Sequence, residues 1–308
     1  MTKDATPDRL RSRLRMRQWQ TLLAIADAGG LRQAALTLGV SQPALSKALK
    51  DLEAAIGRPL FERSARGLTL TPHGEVVTEH ARQALHALGA LADALAAVDT
   101  GAGGRLRVGI IPNLSSDWMR AVAARLIGGS RPLHLQLTEG ATDELLLALR
   151  GGALDAAMVR ITPANAGGDL TWRPMLTQRL KVIVRTGHPL LRMGRRATLR
   201  HLLAYPWLLP PAATPTRRRL DEVFLQAGLT PPQTHLETYA LPLIERFVVQ
   251  EGRLAAVPDD VARQFERLGG IRALGFEWDL PPVCLAWLDG RGPQRLIHRF
   301  EQAALAVA

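Results

Sequence analysis

Ala35 and Gly39 stand four residues apart between two helical patterns, Leu31–Leu38 and Gln42–Ile56. Helices that cross this closely need a small residue at their contact, and Ala35 supplies it. The sharp turn between them needs positive φ, which glycine adopts without steric cost. Leu45 then faces inward to close a small core. Ser41 is placed to cap the second helix, and Pro43 falls in a first turn whose N–H groups have no helical partner. Upstream, Trp19, Leu22, Leu23, Ile25 and Ala26 recur at helical spacing, and Gly29 and Gly30 end that helix. The result is a three-helix unit whose last helix turns Ser41, Gln42, Ser46, Lys47 and Lys50 outward. Such side chains reach base edges and phosphates when a helix lies in a DNA major groove. An ordinary helical hairpin with a polar outer face has the same spacing, so the pattern alone leaves both readings open.

The next segment narrows the choice. Residues 57–63 (GRPLFER) and 66–72 (RGLTLTP) read as two short strands around a tip, a β-wing. Arg63 and Arg66 sit where a wing touches the backbone or enters the minor groove. Charge agrees with this. Of the net +11, residues 1–72 carry +6 and the remaining 236 only +5. A basic end on a nearly balanced chain suits a polyanionic partner.

Residues 31–74, LRQAALTLGVSQPALSKALKDLEAAIGRPLFERSARGLTLTPHG, resemble the DNA-binding domain of LysR-type transcriptional regulators. The likeness covers the helix-turn-helix, the SQPALS opening of the recognition helix, the LE..IG..LFER exit and the LT..G lead into the next helix. The resemblance implies a multidomain α+β chain. A winged helix-turn-helix (1–72) is followed by a linker helix and hinge (73–104) and a two-lobed α/β effector domain (105–308) of periplasmic-binding-protein type. It implies that Ser41, Gln42, Pro43, Ser46 and Lys47 face operator DNA, with Lys50 and Arg63 near phosphate or the minor groove. Arg17, just before the first helix, is a further backbone contact. The leader 1–14 is longer than the family pattern expects.

Thr71 reads as an N-cap and Pro72 as the first residue of a long helix. Its apolar positions Val77, Ala81, Ala84, Leu88, Leu91, Leu95 and Val98 step by four and three alternately. That is the seam of a coiled coil rather than a broad globular stripe, and it predicts a homodimer. A homotetramer is implied by the resemblance only. Residues 100–104 (TGAGG) read as a hinge.

From Arg105 strands and helices alternate. Strands are expected at 106–110, 133–137, 154–159, 180–184, 207–209, 254–257 and Val283–Leu288. Helices are expected at Thr142–Arg150, 215–227, 241–250 and 293–306, with another starting after residues 112–116. The first lobe takes about 105–161 plus the C-terminal helix, the second about 162–275. Ligands in such folds sit where strands end and helices begin. Asn113, Ser115 and Ser116 leave the first strand, Thr214 caps a later helix, and Arg160 follows the third strand. Arg217, Arg218 and Arg219 lie in the first turn of the helix capped by Thr214. Positive charge is unfavourable there, so a bound anion would rationalise them. The resemblance adds Thr138, Thr142, Pro211 and Leu241 as cleft residues. A small anionic metabolite is the expected effector.

Nothing points to an enzyme, a metal or a cofactor. His73, His80 and His86 lack ligand spacing, and no G-x-S-x-G, Walker or G-x-G-x-x-G motif occurs. Cys284 lies in an apolar run and reads as core. No run is apolar and long enough to span a membrane, and the charged N-terminus shows no export signal. A cytoplasmic protein is expected. The alternatives are a nonspecific architectural DNA-binding protein and a solute-binding protein. The first has no use for a sensor of about two hundred residues, and the second predicts an export signal and no basic winged domain.

Overall fold

Among the described residues three helices precede the wing segment: α1 (Met16–Ala28), α2 (Leu31–Leu38) and α3 (Gln42–Ile56). The computed structural model describes residue 10, residues 14–64 and residues 67–307. Arg66 and nearly all of the leader lie outside them. The chain divides near Leu95 into two compact units. In the first, Leu22, Ile25, Ala34, Ala35, Leu45 and Leu52 form the core together with Leu60 and Ala81. Strands β1 (Phe61–Ser64) and β2 (Gly67–Leu70) pair antiparallel, with Phe61 opposite Leu70. Helix α4 (Pro72–Thr100) follows. Its first turns pack on this core through Val77 and Ala81. Leu88, Leu91, Leu95 and Val98 further along are exposed.

The second unit has two sheets. The first lobe holds β3 (Arg105–Ile110), α5 (Ser116–Ile127), β4 (His134–Glu139), α6 (Thr142–Arg150), β5 (Ala156–Arg160) and β6 (Leu170–Leu176). The second holds β7 (Arg179–Arg185), α7 (Pro189–Met193), a 3-10 turn (Gly194–Arg196) and α8 (Leu199–Leu202). It continues through β8 (Trp207–Leu208), α9 (Pro215–Gln226), α10 (Leu241–Glu251), β9 (Leu254–Pro258), α11 (Asp259–Leu268) and β10 (Ile271–Asp279). The chain then returns to the first lobe with β11 (Val283–Leu288) and α12 (Gln294–Leu305). The sheet orders are β4-β3-β5-β11-β6 and β10-β7-β9-β8. Strands β4, β3 and β5 are parallel, while β11 runs antiparallel to β5 and β6.

One expected boundary is corrected. Residues 170–176 were placed in the second lobe, yet β6 pairs with β11 in the first. Its sequence alternates poorly and contains Pro174, which a central strand excludes. As the edge strand of the sheet, β6 tolerates a residue without an N–H, and the register shifts at Val283/Cys284 beside it. The second sheet therefore spans 179–279.

Each lobe has its own core. Leu106, Val108, Val122, Met158, Leu285 and Phe300 fill the first. The second sheet is covered on both faces, by Trp207, Leu220 and Phe224 on one and by Ile244, Val248 and Phe265 on the other. Among the described residues no helix is long and apolar enough to cross a membrane.

Candidate nucleic-acid interface and effector cleft

Helix α3 owes its placement to the turn before it. Gly39 adopts φ 63°, and Val40 N–H donates to Ala35 O at 3.0 Å. Ser41 Oγ accepts from Ala44 N at 3.4 Å. Leu45, Leu49 and Leu52 are buried. The opposite face is left to Ser41, Gln42, Pro43, Lys47 and Lys50, all exposed, with Ser46 half-buried. Gln42, Ser46 and Lys50 share a shallow groove of about 470 Å³ with Arg63 of β1. Arg32, near the start of α2, lines the same groove. Sequence reasoning passed over Arg32, because its helix was read only as the scaffold of the turn. Arg17 is exposed but stands inside α1, one residue after its start, rather than before it.

The wing is fastened to this helix. Glu53 Oε1 accepts from Leu60 N at 2.8 Å and from Phe61 N at 3.3 Å. Leu68 N–H donates to Gly29 O at 3.0 Å. Thr71 Oγ1 donates to Pro59 O at 2.8 Å and accepts from Gly74 N at 3.0 Å. Gly74 lies so near Leu60 that a Cβ there would stand 2.0 Å from the Leu60 carbonyl oxygen. The glycine of the LT..G pattern is thus required by the close approach of α4 to the segment leading into the wing.

In the second unit a cavity of about 280 Å³ lies between the lobes. It is lined by Asn113, Thr142, Asp143 and Arg160 from the first lobe, and by Pro211, Thr214, Arg218 and Tyr239 from the second. The α6 and α9 helices begin at its wall, and their free N–H groups favour negative charge. Asn113 Nδ2 donates across the cleft to Thr216 Oγ1 at 3.2 Å. Thr214 Oγ1 caps α9 by accepting from Arg217 N at 3.2 Å, and it donates to Pro211 O at 2.8 Å.

Arg160 is the most constrained group here. It is 1% exposed. Its guanidinium donates to Pro281 O and to Gln178 Oε1, while Nε has no partner among the described residues. Gln178 Nε2 in turn donates to Asp260 Oδ1 at 2.7 Å. Burial pulls the Arg160 pKa down to about 10, against the opposing pull of Asp260 and Cys284. Burial also pushes the Asp260 carboxyl up, with the Val261 N–H holding it back. Gln178 and Pro281 sit on the two chain crossings between the sheets, so one buried cation ties both.

Several expected cleft residues lie elsewhere. Ser115 is buried and its hydroxyl donates to Gln264 Oε1 at 3.2 Å, while Ser116 N–H donates to the same oxygen at 3.0 Å. Ser116 and Leu241 line a separate, larger depression of about 870 Å³ with Met119, Arg120 and Phe265. Thr138 belongs to β4 at the sheet edge and lines neither. The Arg217–Arg219 cluster also has a different explanation from a bound anion. Arg217 is buried and pairs with Asp221 at 3.0 Å and Glu237 at 3.0 Å. Arg219 pairs with Glu222 at 3.3 Å. Of the three only Arg218 lines the cavity. The carboxylates that neutralise the other two come one turn later or from a distant loop, and first-turn charge counting overlooks them.

Comparison with known proteins agrees with this architecture. Residues 16–75 match the family of bacterial regulatory helix-turn-helix proteins of the lysR family, and residues 99–308 match the LysR substrate binding domain. The HTH-type transcriptional regulator GbpR of Azospirillum brasilense is 30% identical over 302 residues, covering 97% of this chain and 88% of that protein. Full-length CbnR, solved in complex with its target DNA, has the same fold at 23% identity and TM-score 0.67. The match covers 96% of this chain and all (100%) of that one. Full-length LysG of Corynebacterium glutamicum, solved with its effector Arg bound, is similar at 21% identity and TM-score 0.62, over 96% and 98% of the two chains. The chain belongs to the LysR family of transcriptional regulators, which act by binding operator DNA and a small effector and not as enzymes.

Proposed function

We propose that the effector of this regulator is a small anionic metabolite held between the lobes, with Arg160 as its principal partner. The observation that carries this reading is a guanidinium 1% exposed in a cavity wall, with one N–H left over. A buried donor without an acceptor costs about 1–3 kcal/mol, and a carboxylate or phosphate oxygen would remove that cost. Arg218 and the N-termini of α6 and α9 add positive potential, while Asp143 opposes it. Asn113, Thr142, Pro211 and Thr214 complete the proposed site.

Ser41, Gln42, Pro43, Ser46, Lys47, Lys50, Arg63 and Arg17 form the proposed operator face, and Arg66, outside the described residues, is assigned to it from the sequence. The proposed domains are residues 1–72, 73–104 and 105–308, with the linker helix pairing two chains through Leu88, Leu91, Leu95 and Val98. Further pairing to a tetramer belongs to the same proposal, as does a cytoplasmic location, where operator DNA is found. Titration calorimetry of the full chain against organic acids, sugar acids and their neutral counterparts tests the effector class. Micromolar binding of acids alone is expected. Binding of neutral compounds alone would overturn it.

A further inference from the structure

Residues 170–220 contain eleven Lys and Arg and no Asp or Glu. Most of these cations have partners. Arg173 pairs with Glu301 at 2.6 Å, and Arg179 and Lys181 share Glu277 at 2.9 and 2.5 Å. Arg217 and Arg219 have the carboxylates already described, and Arg218 donates to Ala213 O at 3.0 Å. Acids from other elements balance several of these cations, with Glu301, Glu277 and Glu237 among them.

Five arginines have no such partner: Arg185 at the end of β7, and four that cluster beyond it. Arg192 is on α7, Arg195 and Arg196 are on the 3-10 turn, and Arg200 is on α8. All four are exposed, and among the described residues none of their side chains has an ion pair or hydrogen bond. They fall within nine consecutive residues, so their mutual repulsion opposes the fold rather than supporting it. The segment beneath them is held in place. Leu190 and Leu202 are buried in the core of the second lobe, with Leu191, Met193 and Leu199 packed against it. Thr198 N–H donates to His201 Nδ1 at 3.0 Å and fixes the start of α8. Four guanidinium groups thus project from an anchored scaffold.

We infer that Arg192, Arg195, Arg196 and Arg200 form a second, sequence-independent contact to the phosphate backbone of DNA, apart from the helix-turn-helix. Guanidinium forks match phosphate oxygens and need no apolar surround. Protein–protein interfaces are built on a buried apolar and aromatic centre, and residues 189–202 contain no Phe, Tyr or Trp. DNA is also the polyanion this chain holds by its family's function. The inference rests on that DNA-binding role and not on the anionic reading of the cavity.

The test uses the full chain and duplexes from the region upstream of its own gene. One duplex is only as long as the protected operator, and one is extended by about three helical turns on each side. Affinity is followed against salt concentration for the wild type and for the combined Arg192→Ser, Arg195→Ser, Arg196→Ser and Arg200→Ser variant. The wild type is expected to bind the long duplex more tightly and with a steeper salt slope. The variant is expected to keep the short-duplex affinity and to lose the advantage on the long one. Its slope should fall by about 3 if three or four phosphate contacts vanish, at about 0.9 per contact. Equal slopes for the two proteins on long DNA would overturn the inference. So would a variant with unchanged DNA binding that no longer binds poly-L-glutamate, since the patch would then serve an acidic protein. A wild type that ignores both duplexes would instead count against operator binding itself.

Discussion

Gln178 stands between the Arg160 guanidinium and the Asp260 carboxylate, accepting from the first and donating to the second at 2.7 Å. Arg160 ends β5, Gln178 occupies the crossing from β6 to β7, and Asp260 opens α11 in the second lobe. On the proposed reading, a ligand that engaged Arg160 Nε would sit one side chain away from a chain crossing between the lobes.

Gln178→Ala leaves the buried guanidinium short of an acceptor and Asp260 short of a donor. The expected loss is about 3 kcal/mol of stability, the upper end for an unpaired buried group next to a charge. Urea unfolding of the full chain, followed by tryptophan fluorescence, measures it. A loss below about 0.5 kcal/mol, ordinary for a surface site, would show that the relay carries no weight.

The operator face separates into two kinds of contact. Lys47→Ala is expected to weaken binding equally on all sequences and to reduce the salt slope by about 1. Gln42→Ala is expected to cost about 1–3 kcal/mol on the preferred operator and little on mismatched ones. Fluorescence anisotropy on a set of point-mutated operators distinguishes the two patterns. A sequence-dependent loss for Lys47→Ala would reassign it to base reading.

Leu91 and Leu95 are 55% and 59% exposed on the second half of α4. Leu91→Lys with Leu95→Lys is expected to turn the dimer into a monomer in sedimentation velocity. The exposed positions predict a change in single-chain stability within about 0.5 kcal/mol. A variant that stays dimeric at micromolar concentration would move the interface off this helix.

His188 is buried at the start of α7, where its Nδ1 accepts from Leu190 N at 3.3 Å. Only the neutral imidazole accepts there, and burial, assisted by Arg185, holds its pKa below 6.5. The unfolded chain then binds more protons than the folded one once pH falls below that value. Stability is full above about 6.5 and declines as pH drops through the window down to the folded pKa. His188→Asn keeps an N-cap acceptor and removes the titration. Thermal unfolding between pH 5 and 7.5 should show a wild-type slope that this variant lacks. Equal slopes would place the pH response elsewhere.

Much of the architecture was legible because local chemistry and tertiary packing agree. The Ala35/Gly39 turn, the Ser41 cap and the wing are each specified within a few residues. Strand Val283–Leu288 and helix Thr142–Arg150 have the bounds expected of them. Strand β6 was assigned to the wrong lobe because Pro174 and its polar neighbours disguise an edge strand. Strand β10 and helix α11 went unrecognised for related reasons. Helix α11 is a short, heavily charged segment of ten residues whose apolar positions are Val261, Ala262, Phe265 and Leu268. In the cleft, Asn113 and Arg160 were visible from strand ends. Of the two partners of Arg217, Asp221 one turn on was open to sequence reading, whereas Glu237 lies twenty residues away and only the fold brings it near. Ser116 and Leu241 line a different hollow from Arg160 for a related reason: position in sequence does not reveal which of two neighbouring hollows a residue faces.

The bond from Glu53 to the Leu60 and Phe61 amides has an evolutionary consequence. Because that carboxylate belongs to α3 itself, the wing and the proposed reading helix are held to one another at a set spacing. On the proposed reading, new target sequences could then be acquired by exchanging side chains such as Gln42 and Ser46, with no need to rebuild the frame that holds them.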